Sequence, residues 1–399
     1  MYSVSVRVAR SFAEVEALRG VWSAWPSHRD SDIDFCMDFG WRRKQVLRPH
    51  VFVLYRDGQV DALLVGWIEE VRLKPQIGYL HLPGIKARLL NFSYDAFLGN
   101  TSEENCRAMV DAVRDALRQG EADMAWLDHL RVEGLLYEIA TNAAGFATRD
   151  HMIQPDAHWL MEIAPTFEKV FQGFSSGLRA EIRRKKKKML ADFGEKVKMR
   201  CYRRVEELDE AIPQLEHVAK LTYQRGLGVG FSDTPEMRQR LQFCAEKGWL
   251  RIYVVTIDGV PSAFWIGTLA RQVFISDYNG YDPKFRNYSI GTCLLIDVVE
   301  EFCREGVKAI DFGFGEAEYK ERFSNKRLIE APVRFFAPRA KGVFLNGMLT
   351  ATGRADRWMK HALGKANLLP RIKRFWRQRA AQGNAEGKVS QTEQASQKS

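Results

Sequence analysis

One pattern occurs twice in this chain, and a duplicated unit restricts the fold more than any single motif does. Val51–Tyr55 and Val60–Trp67 are apolar runs joined by Asp57-Gly58, while Ile252–Ile257 and Pro261–Thr268 are joined by Asp258-Gly259. Asp-Gly between two such runs is the strongest short hairpin signal, because both turn residues must take positive φ. A helix and a further strand follow each hairpin: Glu104–Leu117 with Met124–Asp128, then Ile290–Arg304 with Lys308–Asp311. At 399 residues the chain is too long for one ordinary core, so two copies of one α+β unit account for its length.

The copies differ just before that helix. In the first, Gly99-Asn100-Thr101-Ser102 supplies an N-cap and little else. In the second, a strand Val273–Gly280 runs into Arg286-Asn287-Tyr288-Ser289-Ile290-Gly291. The helix to about Arg304, a strand Ala309–Gly313 and a short helix with Glu318-Tyr319-Lys320 come next. A loop of small residues at a helix start leaves N–H groups aimed at one point, and the helix dipole adds positive charge there. Arg286 adds a full charge and a planar fork of donors. A ligand bearing a diphosphate is therefore expected on Arg286, Asn287, Tyr288, Ser289, Ile290, Gly291 and Thr292, in the second copy only.

Other classes are excluded by what the sequence lacks. It has no G-x-S-x-G, no G-x-x-x-x-G-K-[ST] and no H-E-x-x-H, which removes nucleophile-elbow hydrolases, P-loop triphosphatases and zinc proteases. Eight histidines form no metal signature, and Pro155 separates His151 from His158, so no metal is expected. Six cysteines are scattered without a C-x-x-C pair, which points to reduced thiols and a cytosolic setting. No apolar run approaches the ~18 residues of a membrane span, and no signal-peptide core opens the chain.

In the second half, the pattern predicts helices from Thr166 to about Phe193, over Val205–Tyr223 and over Thr234–Lys247. Gly226-Leu227-Gly228-Val229-Gly230 reads as a flexible connector, since no strand leads into it. Leu294, Leu295, Val298 and Phe302 make one apolar face of the helix after the loop, as in a helix that covers a sheet.

The run Gly280-Tyr281-Asp282-Pro283 through Gly291, with Asp311-Phe312-Gly313-Phe314-Gly315-Glu316-Ala317-Glu318-Tyr319-Lys320-Glu321-Arg322-Phe323, resembles the CelD-type acetyltransferases. These are tandem-domain members of the GNAT superfamily associated with cellulose and exopolysaccharide biosynthesis. Ser175-Ser176-Gly177-Leu178-Arg179 and the basic helix Arg183–Lys188 are similar to their domain opening, and the resemblance covers Phe167–Pro338. It implies tandem GNAT-like domains, each a mixed, mostly antiparallel sheet flanked by helices. The expected division is a degenerate domain over 1–165, an acyltransferase domain over 166–338, a basic helical segment over 339–379 and a disordered tail over 380–399. It also implies acetyl-CoA or another acyl-CoA as co-substrate, and a sugar, glycan or lipid-linked precursor as acceptor. The superfamily's loop is usually Gln/Arg-x-x-Gly-x-Gly/Ala; this chain keeps Arg286 and Gly291 but has Ser289 at the first glycine.

Acyl transfer to an amine needs a base for the attacking nitrogen and, in many cases, an acid for the leaving thiolate. The resemblance places the base on the strand before the loop, where alternation puts Val273, Ile275, Asp277, Asn279 and Tyr281 on one face. Asp277 is the one carboxylate there, and is either the base or a turn-capping aspartate. Tyr319 lies where many GNAT enzymes carry a tyrosine acid, and the alternative for it is packing on the sheet. Lys320 is a candidate to bind a phosphate or an acidic acceptor, and Tyr281, Asp311 and Glu316 to shape the acceptor pocket.

Charge carries a separate message. From Arg339 to Arg379 there are eleven Lys or Arg and one acid, Asp356, a net +10 that equals the formal charge of the whole chain. Trp358, Leu363, Phe375 and Trp376 are interleaved with them, which suits either an anionic membrane surface or a solvated helix on the body. Two other functions stay open at this level. FemABX transferases share the duplicated plan and take an aminoacyl-tRNA, which would place Arg179–Lys188 on RNA backbone. A non-catalytic adaptor of polysaccharide assembly would use the folds as scaffold alone.

Overall fold

The computed structural model describes residues 4–78, 80–222, 225 and 230–365. Contacts divide the chain into a first unit, Met1–Pro155 with the returning segment from Glu330, and a second, Asp156–Ile329.

In the first unit β1 (Val4–Ala9) is followed by the short helices α1 (Phe12–Glu16) and α2 (Arg19–Ala24). Next come β2 (Val46–Pro49), β3 (Val51–Arg56), β4 (Gln59–Leu73), a small ribbon of β5 (Gln76–Ile77) with β6 (Leu80–His81), and β7 (Ile85–Gly99). Helix α3 (Glu103–Gln119), strand β8 (Met124–Arg131) and helix α4 (Leu135–Ala143) complete it. The sheet order is β1-β3-β4-β7-β8, antiparallel except for β7 and β8. Those two run parallel over only three pairs, Leu89 with Met124 to Asn91 with Trp126.

The second unit repeats this plan. It opens with β9 (Asp156–Glu162), α5 (Phe167–Gly173), α6 (Ser176–Phe193) and β10 (Val197–Tyr202). Helices α7 (Leu208–Leu221) and α8 (Pro235–Glu246) precede β11 (Leu250–Ile257), β12 (Val260–Ala270) and β13 (Val273–Tyr281). Helix α9 (Ile290–Glu305) then crosses to β14 (Ala309–Phe314), and α10 (Glu318–Phe323) ends the set. The order is β10-β11-β12-β13-β14-β9, and β13 pairs parallel with β14 over Val273–Ile275 alone. Beyond Ile275, β13 continues along β12 while β14 turns to β9, so the two strands splay.

Both Asp-Gly hairpins form as the sequence indicates, with φ of 50° and 82° at Asp57 and Gly58 and of 54° and 77° at Asp258 and Gly259. Each unit has its own core: Trp22, Phe52 and Phe92 are fully buried in the first, and Tyr253, Phe274 and Phe302 in the second. Helix α9 contributes Ile290, Leu294, Val298 and Phe302 to the latter, one face at helical spacing, each worth about 1.5–3 kcal/mol of burial.

Three local expectations change. The single helix from Thr166 to Phe193 breaks at Phe174-Ser175, where Ser175 accepts from the Leu178 N–H (3.3 Å) and caps α6. The unit boundary falls at Pro155/Asp156 rather than at 165/166, because Asp156–Glu162 pairs with β14. The strand Lys326–Phe336 leaves the second unit: from Glu330 onward it pairs with β8 of the first. After it, α11 (Ala340–Lys365) packs through Leu345, Met348 and Leu349 onto Ala87, Leu89 and Phe336. Residues 366–379 of the expected basic segment, the expected tail over 380–399, and Gly226–Val229 of the connector lie outside the described residues.

Candidate functional site

The splay of β13 from β14 opens a cleft of roughly 600 Å³, counted out to its mouth. Asn279, Gly280 and Tyr281 of β13, Gly291 and Thr292 of α9, and Tyr319 of α10 line it. Phe264, Trp265, Leu294, Leu295 and Phe323 form its apolar walls.

A β-bulge decides which side chains of β13 enter. Ile266 pairs with Tyr278 and Gly267 with Ser276, so Asp277 is the extra residue and alternation restarts beyond it. Asn279 and Tyr281 stand opposite Trp265 and Ala263 and reach the cleft. Gly267 is required beside the bulge: a Cβ there would sit 2.3 Å from Phe274 Cζ. The strict alternation read from the sequence, which put Asp277 on the same face as Asn279 and Tyr281, is thereby corrected.

At the loop, Pro283–Tyr288 is a 3-10 turn and Ser289 takes a left-handed conformation, φ 49° and ψ 46°. That conformation suits glycine, the residue usual at this place in the superfamily's loop, better than serine. The Ser289 side chain makes no cap bond. The first bond into the helix is donated by the Cys293 N–H to the Ser289 carbonyl (3.0 Å), which leaves the N–H groups of Ile290, Gly291 and Thr292 at the open end of a 16-residue helix. The matching end of α3 is closed by its own residues. Ser102 accepts from the Asn105 N–H (3.4 Å), and the Asn105 amide donates to Asp61 and to the Asn100 carbonyl, each at 2.8 Å. The two helix starts thus differ as their sequences indicate.

This unit's sequence agrees with its geometry. Residues 176–321 match the model of the acetyltransferase (GNAT) domain. The matched span is less than half of the chain and includes the loop, the splayed strands β13 and β14 and the first residues of α10. No curated protein matches the chain. The crystal structure of FemX is similar with a TM-score of 0.51 and 10% identity, over 72% of this chain and 88% of that one. A tandem GNAT protein from the clavulanic acid biosynthesis pathway aligns with a TM-score of 0.47 and 10% identity, over 85% of this chain and 100% of that one. The C-terminal domain of a putative lysylphosphatidylglycerol synthetase from Agrobacterium fabrum gives 0.45 and 11%, over 71% and 83%. At such identities the likeness is one of fold, and scores below 0.5 add nothing to it. The fold class is α+β, with two units of one plan in tandem, the second of which carries the match to the GNAT domain.

Within the GNAT unit the expected site residues separate into two groups. Tyr281, Gly291, Thr292 and Tyr319 meet at the cleft. The Asn279 amide donates to the Tyr319 hydroxyl (3.2 Å), and the Tyr319 ring packs edge-on against Phe312. Arg286 and Asn287 are exposed on the loop, the Asn287 carbonyl accepting from Lys185 Nζ (2.7 Å). Ile290 is core, and Tyr288 turns away to α6, donating to Asp192 (2.8 Å), which raises the pKa of its phenol.

The rest stand apart from the cleft. Asp277 is held by Arg240 of α8 at 2.6 Å. Asp311 is buried beside His158 Nε2 (2.7 Å) and accepts from the Gly313 N–H (2.7 Å), so it shapes the β14 turn. Lys320 donates to the Phe314 carbonyl (2.5 Å), and burial lowers its pKa. Glu316 is exposed between β14 and α10. Sequence reading missed Asn279, Trp265, Phe264 and Phe323. Asn279 stood on the right face but is not ionisable, and the aromatics read as core.

Proposed function

We propose that the chain is an acyltransferase that moves an acetyl or other acyl group from acyl-CoA to an amine or hydroxyl of a sugar, glycan or lipid-linked precursor. The observation that carries this reading is that Gly291 and Thr292 of the open helix start line one cleft with Tyr319, while Arg286 stands on the loop just before that start. Arg286 and the helix start hold the diphosphate, and the apolar walls receive the pantetheine arm and thioester. The acceptor attacks the thioester carbonyl, the new C–N or C–O bond forms and the C–S bond breaks. Tyr319 gives its phenolic proton to the leaving thiolate and regains one from solvent; the acceptor's proton passes to water, since no carboxylate lines the cleft among the described residues.

The CelD-type resemblance supports a place in cell-envelope or exopolysaccharide biosynthesis. An aminoacyl-tRNA donor is the weaker reading, because a diphosphate cradle gains nothing from RNA. Contact of α11 with an anionic membrane is part of the proposal: Phe344 and Trp358 are exposed on the same helix as Arg354 and Arg357. No described helix is long and apolar enough to cross a membrane.

Free thiol released from acetyl-CoA in the presence of a panel of amino sugars and glycans tests the reading. Acceptor-dependent release that is lost without protein is expected. Tight acyl-CoA binding with no release on any acceptor or acyl chain would instead favour the adaptor role.

A further inference from the structure

The basic run of α6 is not spent uniformly, and its free part lies next to the anion loop. Lys186 pairs with Asp297, Arg183 lies over the Phe171 ring (5.2 Å), and Arg179 closes the end of α5 by donating to the Gln172 and Phe174 carbonyls at 2.8 and 2.6 Å. Those cations hold the fold together. Lys185 instead reaches the Asn287 carbonyl, and Lys188 lies over the Tyr288 ring (4.9 Å), so this edge of α6 runs along the loop up to the residue before Ser289. Arg184 is one helical turn from Lys188, about 5–6 Å between Cβ atoms at that spacing. It is exposed, as is Lys188, and neither makes an ion pair among the described residues. No acid occurs between Ile182 and Ala191 to neutralise them.

An anion that occupies the loop therefore meets a second, uncompensated pair of charges one side chain away. Coenzyme A carries a third phosphate, on its ribose, separated from the diphosphate by the sugar. We propose that Arg184 and Lys188 form a subsite for that ribose phosphate, so that this site selects 3′-phosphorylated CoA over carriers lacking it. The assignment rests on the acyl-CoA reading above and adds a distinction to it. An RNA backbone would need cations strung along a path, whereas these are two, one helical turn apart, with Lys188 against Tyr288 of the loop.

Calorimetric titration with CoA and with 3′-dephospho-CoA separates the possibilities. The wild-type protein is expected to bind CoA about tenfold more tightly than dephospho-CoA at low salt. In Arg184→Gln/Lys188→Gln the ratio should fall to near one while dephospho-CoA affinity holds, and Lys198→Gln, exposed on β10, should keep the wild-type ratio. Equal affinities in the wild-type protein would overturn the subsite and leave the diphosphate site standing. Equal loss of both ligands in the double variant would show that the pair only steadies the loop through Tyr288, which also overturns it. Binding of neither ligand removes the acyl-CoA reading and the subsite together; steeply salt-dependent binding of RNA in that case would assign the row to nucleic acid.

Discussion

The Asn279 amide donates to the Tyr319 hydroxyl across 3.2 Å, which ties the end of strand β13 to helix α10 at the edge of the cleft. The bond fixes where the phenol points. With its amide as donor, Asn279 occupies an acceptor position of the Tyr319 hydroxyl and not its proton.

Tyr319→Phe is therefore expected to lower turnover about a hundredfold with the dissociation constant for acyl-CoA nearly unchanged, since the ring still packs on Phe312. Steady-state rates beside a binding isotherm read both quantities. Unchanged turnover would take Tyr319 out of the mechanism.

Asp277 is expected to matter for stability and not for chemistry. Its carboxylate is 11% exposed and 2.6 Å from Arg240. Asp277→Asn and Arg240→Gln should each cost about 1–3 kcal/mol in denaturant unfolding, and turnover should survive in both. A large loss of turnover with little change in stability would restore Asp277 as the base.

Ser289 sits at φ 49°, where a β-branched side chain is strained. Ser289→Val should destabilise the protein by about 1–2 kcal/mol and weaken CoA binding, while Ser289→Gly should be neutral or mildly stabilising. A tolerated valine would mean that the loop does not need this backbone to hold its ligand.

His50 gives the first unit a defined acid limb. Burial, with a smaller effect of Arg48, lowers its pKa to about 3, and Arg48 donates to its Nδ1 at 2.8 Å. A neutral imidazole in the fold against an ordinary value near 6.5 in the unfolded chain means that the unfolded state binds more protons between these limits. This contribution is complete above about pH 6.5 and is lost as pH falls toward about 3. His50→Gln should flatten the stability profile in that window, measured by urea unfolding at several pH values.

Much of the fold was legible because its signals are local. Asp57-Gly58 and Asp258-Gly259 specify their turns by backbone chemistry, and Leu294, Val298 and Phe302 mark the buried face of α9 by spacing alone. What was hidden depends on distant partners. The bulge at Asp277 lies in the pairing with β12, where Gly267 is closely approached by Phe274, and no period along β13 reveals that. The return of Glu330–Phe336 to β8 is a pairing between residues about two hundred positions apart, which a strand pattern cannot assign. The break at Phe174-Ser175 was masked because Ser175 reads equally as a helix-interior serine or a cap.

The proposed acyl-CoA site depends most on the loop that opens α9, and titration of acetyl-CoA into the wild-type protein and Arg286→Ala tests it directly. One site per chain is expected, weakened about tenfold or more by the substitution at an unchanged melting temperature. An isotherm with no heat of binding, or equal affinity in both proteins, would contradict it.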